Sequence, residues 1–404
     1  MAPVALDTTP IPELFRVPTV APDTAPVPAA RQKYTPPNRK IEDVKIRSNA
    51  GPMKPENLDW LQPVDPKTAT MDEMREMFVE QGYIWVKGLI PREDIMAFRR
   101  KYFEFMAPTG VTKEGSDPVD GIYCGADPEM FLPPGNGREC ENTEQADKFI
   151  KRNIEAHHSK WLEEITTHPV LFQFVKEFTN WPTVKLLKRQ MLRANVPGAE
   201  TTVGSSLRPH LPSLWPTDLP DWLASLWANV PGAETTAVHY DHIFLRYGPP
   251  TFLTGWLPFG DIPVEGGGLT YLEDAVPLAQ AMENDFARRA QKFTPEQRIN
   301  AFNANMMRGG HLGHDSQAFG STHGNRKWLI ADYEAGDVVF HHPYSIHASC
   351  VNESPTNTIR LIHASCVNES PTNTIRLATD LRFVNPEAPY DTRWTDYWSP
   401  TDGL

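Results

Sequence analysis

The spacing of hydrophobic residues predicts helices in the first part of the chain. One helix begins at the Thr-x-x-Glu capping box that starts at Thr70, carries apolar residues at helical spacing, and ends at Gly82. A second begins at Pro91, and a third runs from near Pro169 through Phe178. These helices precede a segment with a different period.

Short runs of aromatic and β-branched residues, bounded by Gly, Pro or Asp, predict strands. Tyr83–Val86 is one such run between the first two helices, and six more follow Ala237. They are His239–Arg246, Thr251–Leu257, Leu269–Leu272, Trp328–Asp332, Asp337–His342 and Thr374–Phe383. Helices ahead of a strand-rich half predict an α+β, mainly β protein, and the turn chemistry favours an antiparallel sandwich or jelly roll.

The chain of 404 residues carries 39 prolines, and nine of them lie in the first 40 residues. Residues 1–58 mix Pro, Ala, Thr and charge without apolar periodicity, so we expect a disordered Pro-rich arm there. Residues 59–404 then form one domain.

Two segments of the chain are duplicated without a single change. ANVPGAETT occurs at 194–202 and 228–236, and IHASCVNESPTNTIRL at 346–361 and again at 362–377. Structural repeats diverge and need about three copies to bury a core, so these copies indicate a recent duplication or a flaw in the gene model. Residues 203–235, rich in Pro, Ser and Trp, are predicted to be an inserted loop.

Composition excludes several classes of partner. The net charge is −12, and without a basic run this disfavours nucleic acid. No apolar run reaches the roughly 18–20 residues of a membrane helix, and the N-terminus lacks the pattern of a secretory signal. Four scattered cysteines indicate a reducing, cytoplasmic setting. The expected partner is a small molecule, and the oligomeric state is left open.

Three residues in the strand-rich half form a candidate metal site. His239 and Asp241 stand two apart, so they share one face of the predicted strand. His347 supplies a second imidazole on a later strand. Two His and one carboxylate leave three positions of a metal open, which suits non-haem Fe(II) with a co-substrate and O₂ better than zinc. His341 and His342 are interpreted as structural, because at most one of them faces the site.

The last predicted strand carries a candidate anion clamp. Arg376 and Arg382 share one parity there, opposite to the apolar residues. A guanidinium that points into the mouth of a barrel binds a carboxylate bidentately. The strand therefore predicts a site for a dicarboxylate co-substrate.

These motifs resemble the phytanoyl-CoA dioxygenase-like Fe(II)/2-oxoglutarate-dependent oxygenases. The segment EMREMFVEQGYIWVKGLIPREDIMAFR looks like the family's leading helix–strand–helix, and VHYDHIFLR looks like its His-x-Asp strand. EAGDVVFHHPYSIHAS and NTIRLATDLRF look like the strands with the distal His and the Arg. The resemblance spans roughly Met71 to Pro386. It implies a double-stranded β-helix (a cupin-like jelly roll) supported by N-terminal helices, and oxidation of a small organic substrate with release of succinate and CO₂.

The resemblance also implies roles for individual residues. His239, Asp241 and His347 would hold Fe(II), and Arg376 would pair with the far carboxylate of 2-oxoglutarate. Trp256 and Gln190 match positions where the family often lines the co-substrate pocket. The segment Gly268–Ala275 departs from the Pro-Gly-Ser-His that commonly follows this strand in the family, which leaves the substrate side open.

The duplication leaves the distal ligand and the clamp ambiguous. His363 copies His347, and Arg360 copies Arg376. We pair His347 with Arg376, because His347 alone follows the Gly-Asp strand and Arg376 alone leads into ATDLRF. Two other functions remain open: a catalytically impaired jelly-roll paralogue that acts as a binding protein, and a metal-dependent hydrolase or isomerase.

Overall fold

A computed structural model of the chain describes most of the folded part. The described residues are 11–17, 34–36, 38–126, 131, 143–189, 191–195, 236–294, 311–351 and 374–397. Predictions that concern residues 203–235, or the repeat from 362 to 373, lie outside this range, and the division of the chain at residue 58 stays a prediction.

Helices precede and flank the sheets, as the hydrophobic spacing predicts. Thr70 caps the first helix with a reciprocal Thr–Glu box, and Gly82 ends it with a left-handed φ of 78°. A Cβ at Gly82 would lie 2.4 Å from Val276. The helices are α1 (Met71–Gln81), α2 (Arg92–Met106), α3 (Thr143–His157), α4 (Lys160–Thr166), α5 (Pro169–Thr179), α6 (Ala275–Ala290) and α7 (Ser316–Thr322).

Thirteen strands form three sheets in the described residues. They are β1 (Arg47–Ser48), β2 (Gly51–Pro52), β3 (Leu58–Trp60), β4 (Pro63–Val64), β5 (Tyr83–Val86), β6 (Lys185–Leu186), β7 (Met191–Asn195), β8 (Leu253–Pro258), β9 (Leu269–Leu272), β10 (Trp328–Ile330), β11 (Val338–His341), β12 (His347–Ser349) and β13 (Arg376–Val384). The larger sheet has the order β4-β5-β11-β8-β13-β6, with β7 also paired to β13. The smaller has the order β12-β9-β10-β3, and β1 pairs with β2.

The two main sheets pack with aromatic side chains between them. Tyr83 of β5 stacks on Tyr271 of β9, with ring centroids 5.6 Å apart. Trp85, Trp256 and further residues of both sheets form one buried cluster between the sheets. The opposite face of the larger sheet packs on helices; Phe340, for example, stacks on α5. Both faces of this sheet are therefore buried, and the inner one faces an aromatic interior.

Five of the six strands predicted after Ala237 are present, and the sixth prediction is wrong. His239–Arg246 contains only an isolated bridge at His239, and a 3-10 turn follows over Asp241–Ile243. The turn is held by backbone bonds, including Phe244 N–H to the carbonyl of Asp241. The apolar run Ile243–Leu245 resembles a strand, but the local hydrogen bonds of the turn replace the ladder.

The predicted disordered arm is wrong for the part of residues 1–58 that the structure describes. Phe15 is 1% exposed and stacks on Trp181. Val44 and Met53 belong to the core under the smaller sheet. These apolar residues stand singly between prolines and polar residues, so they bury their side chains without producing a periodic pattern.

No helix in the described ranges is long and apolar enough to cross a bilayer. The longest of them, α6, has 16 residues, whereas a span needs about 20.

Phe15 tests whether the N-terminal segment stabilises the domain. Phe15→Ala removes a ring packed against Trp181 and Phe78, so we expect the free energy of unfolding in urea to fall by about 3–5 kcal/mol. Ile11→Ala, at a residue 37% exposed in the same segment, should change it by less than about 0.5 kcal/mol. Equal small effects of both would contradict the packing.

His342 makes stability depend on pH. Its Nε2–H donates to the carbonyl of Phe15, and burial lowers its pKa from 6.5 to about 4. The neutral form is therefore favoured in the fold, and stability is complete above pH 6.5 and falls as the pH drops toward 4, on the order of 3 kcal/mol in all. In His342→Gln, urea unfolding at pH 7.5 and 5.0 should differ by less than in the wild type. The same pH slope in both proteins would contradict this.

Candidate metal centre

The candidate ligands come together at the end of β12. His239 and His347 pair in a narrow antiparallel bridge: each backbone N–H donates to the other's carbonyl, at 3.0 and 2.8 Å. Their rings lie 4.1 Å apart between centroids. Asp241 follows at the start of the 3-10 turn, so the turn and not strand alternation directs its carboxylate to the imidazoles.

His239, Asp241 and His347 form a compact, buried group of metal-ligating atoms. One ligand atom from each lies within 4.8 Å of the others. Asp241 Oδ1 is 3.8 Å from His239 Nε2 and 4.0 Å from His347 Nε2. The three predicted ligands are therefore brought together.

Both imidazoles have their second nitrogen occupied by the backbone. His239 Nδ1–H donates to the carbonyl of Ala237 at 2.8 Å, and His347 Nδ1–H donates to that of Ser345 at 2.9 Å. A proton on Nδ1 leaves the lone pair on Nε2, the atom nearest the carboxylate. Metal-binding histidines are commonly oriented in this way, so the residues present fit a metal ion.

The Asp241 carboxylate is buried, and protein groups occupy all but one of its acceptor sites. Oδ2 accepts from Thr254 Oγ1 at 2.6 Å and from His341 Nε2 at 3.3 Å. Oδ1 accepts from Arg382 Nη2 at 3.0 Å. A carboxylate offers about four acceptor sites, so one site on Oδ1 is left for an ion between the imidazoles.

Charges around the site keep the ligands in their metal-binding forms. Burial raises the pKa of Asp241, but Arg382, His341 and His347 outweigh it and hold this pKa well below the usual range. Burial, with His341 close by, lowers the pKa of His347 to about 4. At neutral pH the carboxylate is ionised and His347 is neutral, as coordination requires.

His341 supports Asp241 from β11. Its Nε2–H donates to the carboxylate, and its Nδ1 accepts from Tyr271 Oη at 3.1 Å. His342 points to the opposite face and binds Phe15. The prediction that at most one of the pair faces the site is confirmed. His341 is the one that does, and it hydrogen-bonds to Asp241.

The inner face of β13 carries the charged residues near the site. Arg376, Asp380 and Arg382 share this face and are buried. Asp380 pairs in register with Trp256, whose ring lies 4.6 Å from that of Tyr333. The predicted pocket residues Arg376 and Trp256 thus lie on the inner faces of neighbouring strands.

Other predicted positions lie outside the described residues. These are Gln190 and the duplicate residues His363 and Arg360. Among the described residues, His347 is the distal histidine of the ligand group.

A sequence profile of the phytanoyl-CoA dioxygenase (PhyH) family matches residues 78–362. This match covers more than half of the chain. The chain belongs to the phytanoyl-CoA dioxygenase family. The residues that the resemblance rests on, from the leading helix to the distal His, fall in or beside the matched segment.

Several solved structures are similar to this chain at low sequence identity, and curated protein sequences contain no significant match. The epimerase SnoN from nogalamycin biosynthesis, solved with Fe³⁺, alpha-ketoglutarate and nogalamycin RO, is 14% identical, with a TM-score of 0.40 over 79% of this chain and 85% of that one. The carbocyclase SnoK has 14% identity and a TM-score of 0.39, over 80% and 87%. Iron-bound HygX from Streptomyces hygroscopicus is 12% identical, with a TM-score of 0.33 over 79% of this chain and 88% of that one.

One support of Asp241, the hydroxyl of Thr254, has no signal in the sequence. Thr254 lies on β8 opposite Arg382 of β13 and His341 of β11. The parity of β13 separates Arg382 from the apolar positions, but nothing in the local pattern connects Thr254 with Asp241. That contact depends on strand register.

Thr254 tests the support of the metal ligand. Thr254→Val keeps the shape and removes the 2.6 Å hydrogen bond to Asp241, so we expect the affinity for a divalent metal to fall about 10–100-fold. Thr166→Val, which removes a buried hydroxyl bonded to Leu162 in α4, serves as control and should keep the affinity. Calorimetric titration with Fe(II) under nitrogen measures both. Unchanged affinity in Thr254→Val would contradict the assignment.

Proposed function

We propose that the protein is an Fe(II)- and 2-oxoglutarate-dependent oxygenase that oxidises a small organic molecule. The observation that carries this proposal is the buried His239–Asp241–His347 group, in which both imidazoles present Nε2 and the carboxylate keeps one acceptor site. Two His and one carboxylate leave coordination positions open for a co-substrate and O₂. Membership of the phytanoyl-CoA dioxygenase family supports the same chemistry.

The protein would hold and orient the reactants rather than react itself. His239, Asp241 and His347 would hold Fe(II), and Arg376 would bind the far carboxylate of 2-oxoglutarate through its guanidinium. Trp256 would pack against the co-substrate, and Gln190 would line the pocket. When bound, Fe(II) with 2-oxoglutarate and O₂ supplies an oxidation that releases succinate and CO₂.

The interior suits this chemistry because buried aromatic side chains line part of it. Tyr83, Trp85, Trp256 and Tyr271 are all at most 3% exposed. A dry wall strengthens the electrostatic interactions of the bound anion and limits side reactions of an oxidising centre. The presence of Asp241 disfavours halogenation, which needs the carboxylate position vacated for a halide. Hydroxylation of a C–H bond, or a related oxidation such as desaturation, in a double-stranded β-helix is therefore the proposed activity.

The duplicated segment supplies a matched pair of variants for this function. Succinate formation from 2-oxoglutarate with Fe(II) and O₂ should fall to background in His347→Ala and stay near wild type in His363→Ala, because only the first removes a metal ligand. The reversed pattern would assign the role of distal metal ligand to His363. Metal binding without any succinate from the wild type would favour a binding protein or a metal-dependent hydrolase or isomerase.

A further inference from the structure

Arg382 lies beside the metal ligands, and some of its hydrogen-bond donors have no acceptor among the described residues. Its side chain is 3% exposed, and Nη2 donates to Asp241 Oδ1 at 3.0 Å. Nε and Nη1 are also buried, and neither has a hydrogen-bond partner within the described part of the chain. Buried donors without an acceptor are rare and costly, so these two indicate an acceptor that binds there.

A role as counter-ion of Asp241 alone does not account for this arrangement. One nitrogen is enough for that ion pair, and a lysine would supply it with fewer buried donors. The guanidinium is held on a second side by Trp394, whose ring centroid lies 5.0 Å from Cζ. The guanidinium is thus fixed in place, with Nε and Nη1 each able to donate a hydrogen bond to an anion.

A cation bound at the site would weaken the electrostatic attraction between Asp241 and Arg382. Asp241 Oδ1 faces both Arg382 and the two Nε2 atoms. A cation bound there shares the negative charge of Asp241, so the guanidinium attracts a further anion more strongly. Because the same guanidinium contacts a ligand oxygen through Nη2, an anion bound by Nε or Nη1 would lie near the metal.

Arg376 belongs to a different part of the interior. It lies six residues before Arg382 on the same face of β13, about 20 Å along an extended strand, and Asp380 stands between them. The strand thus presents two separate cationic positions with a carboxylate in between. Such spacing suits the two ends of a dicarboxylate better than one shared carboxylate.

We propose that Arg382 binds the carboxylate next to the oxo group of the 2-oxo acid, at the metal, while Arg376 binds the distal carboxylate. This assignment rests on the proposed function. It makes Arg382 a second determinant of co-substrate binding, in addition to its contact with Asp241. A carboxylate of the oxidised substrate is the other source of the same chemistry.

Binding of two oxo acids to the Fe(II)-loaded full chain, measured by calorimetry without O₂, separates the two positions. Pyruvate has only the oxo-acid end, and 2-oxoglutarate has both ends. Arg382→Met also removes a hydrogen bond to Asp241 and should weaken Fe(II) binding, so the oxo acids are titrated at saturating Fe(II). There we expect Arg382→Met to weaken both ligands roughly 10- to 100-fold, whereas Thr254→Val, which removes only a contact to Asp241, should keep their affinities. Arg376→Met should weaken 2-oxoglutarate alone. Arg92→Met, which removes an ion pair with Asp261 far along the chain, is the control and should bind as wild type.

Each contrary result has its own meaning. Equal loss of oxo-acid binding at saturating Fe(II) in Arg382→Met and Thr254→Val would show that Arg382 acts only through Asp241. Unchanged oxo-acid binding in Arg382→Met would assign the free donors to the substrate. Either result overturns the proposal. Arg382→Lys keeps the charge without the fork, and it provides the same comparison if the Met variant does not fold. Wild-type protein that binds pyruvate but not 2-oxoglutarate would contradict the proposed function and the role of Arg376 but leave the role of Arg382 intact, and binding of neither would overturn both proposals.

Discussion

The structure depends on one buried carboxylate, that of Asp241. It is 0% exposed, and an ionised carboxylate without water must be compensated by donors or cations. Thr254, His341 and Arg382 provide that compensation from three neighbouring strands, and they face each other in register across β11, β8 and β13. A shift of β8 by one residue would turn Thr254 to the helix-covered face. The register of the larger sheet therefore determines the orientation of the Asp241 carboxylate.

The same constraint organises the rest of the interior. The imidazoles of His239 and His347 meet Asp241 because a backbone bridge joins the two residues, and backbone carbonyls hold their tautomers. Aromatic residues of both sheets form a buried cluster in the same interior, and Arg376, Asp380 and Arg382 are buried as well, so their charges interact more strongly than charges in water do. Family membership and this geometry both agree with the proposed chemistry.

Much of this arrangement follows from the local pattern of the chain. The capping box at Thr70, the helix end at Gly82 and five of the later strands have signals within a few residues. The ligand set could be chosen from residue types and order. The 3-10 turn at Asp241 could not, because its apolar sequence also fits a strand. Burial of Phe15 and the contact of Thr254 with Asp241 depend on tertiary packing and register, which have no local signature.

The most direct test of the account is a crystal structure of the protein loaded with Fe(II) and 2-oxoglutarate without O₂, with the iron located by anomalous scattering. The account predicts a single iron bound by Nε2 of His239, Nε2 of His347 and one oxygen of Asp241, with the remaining positions not filled by protein. Iron at another position, or iron held by four protein ligands, would contradict it.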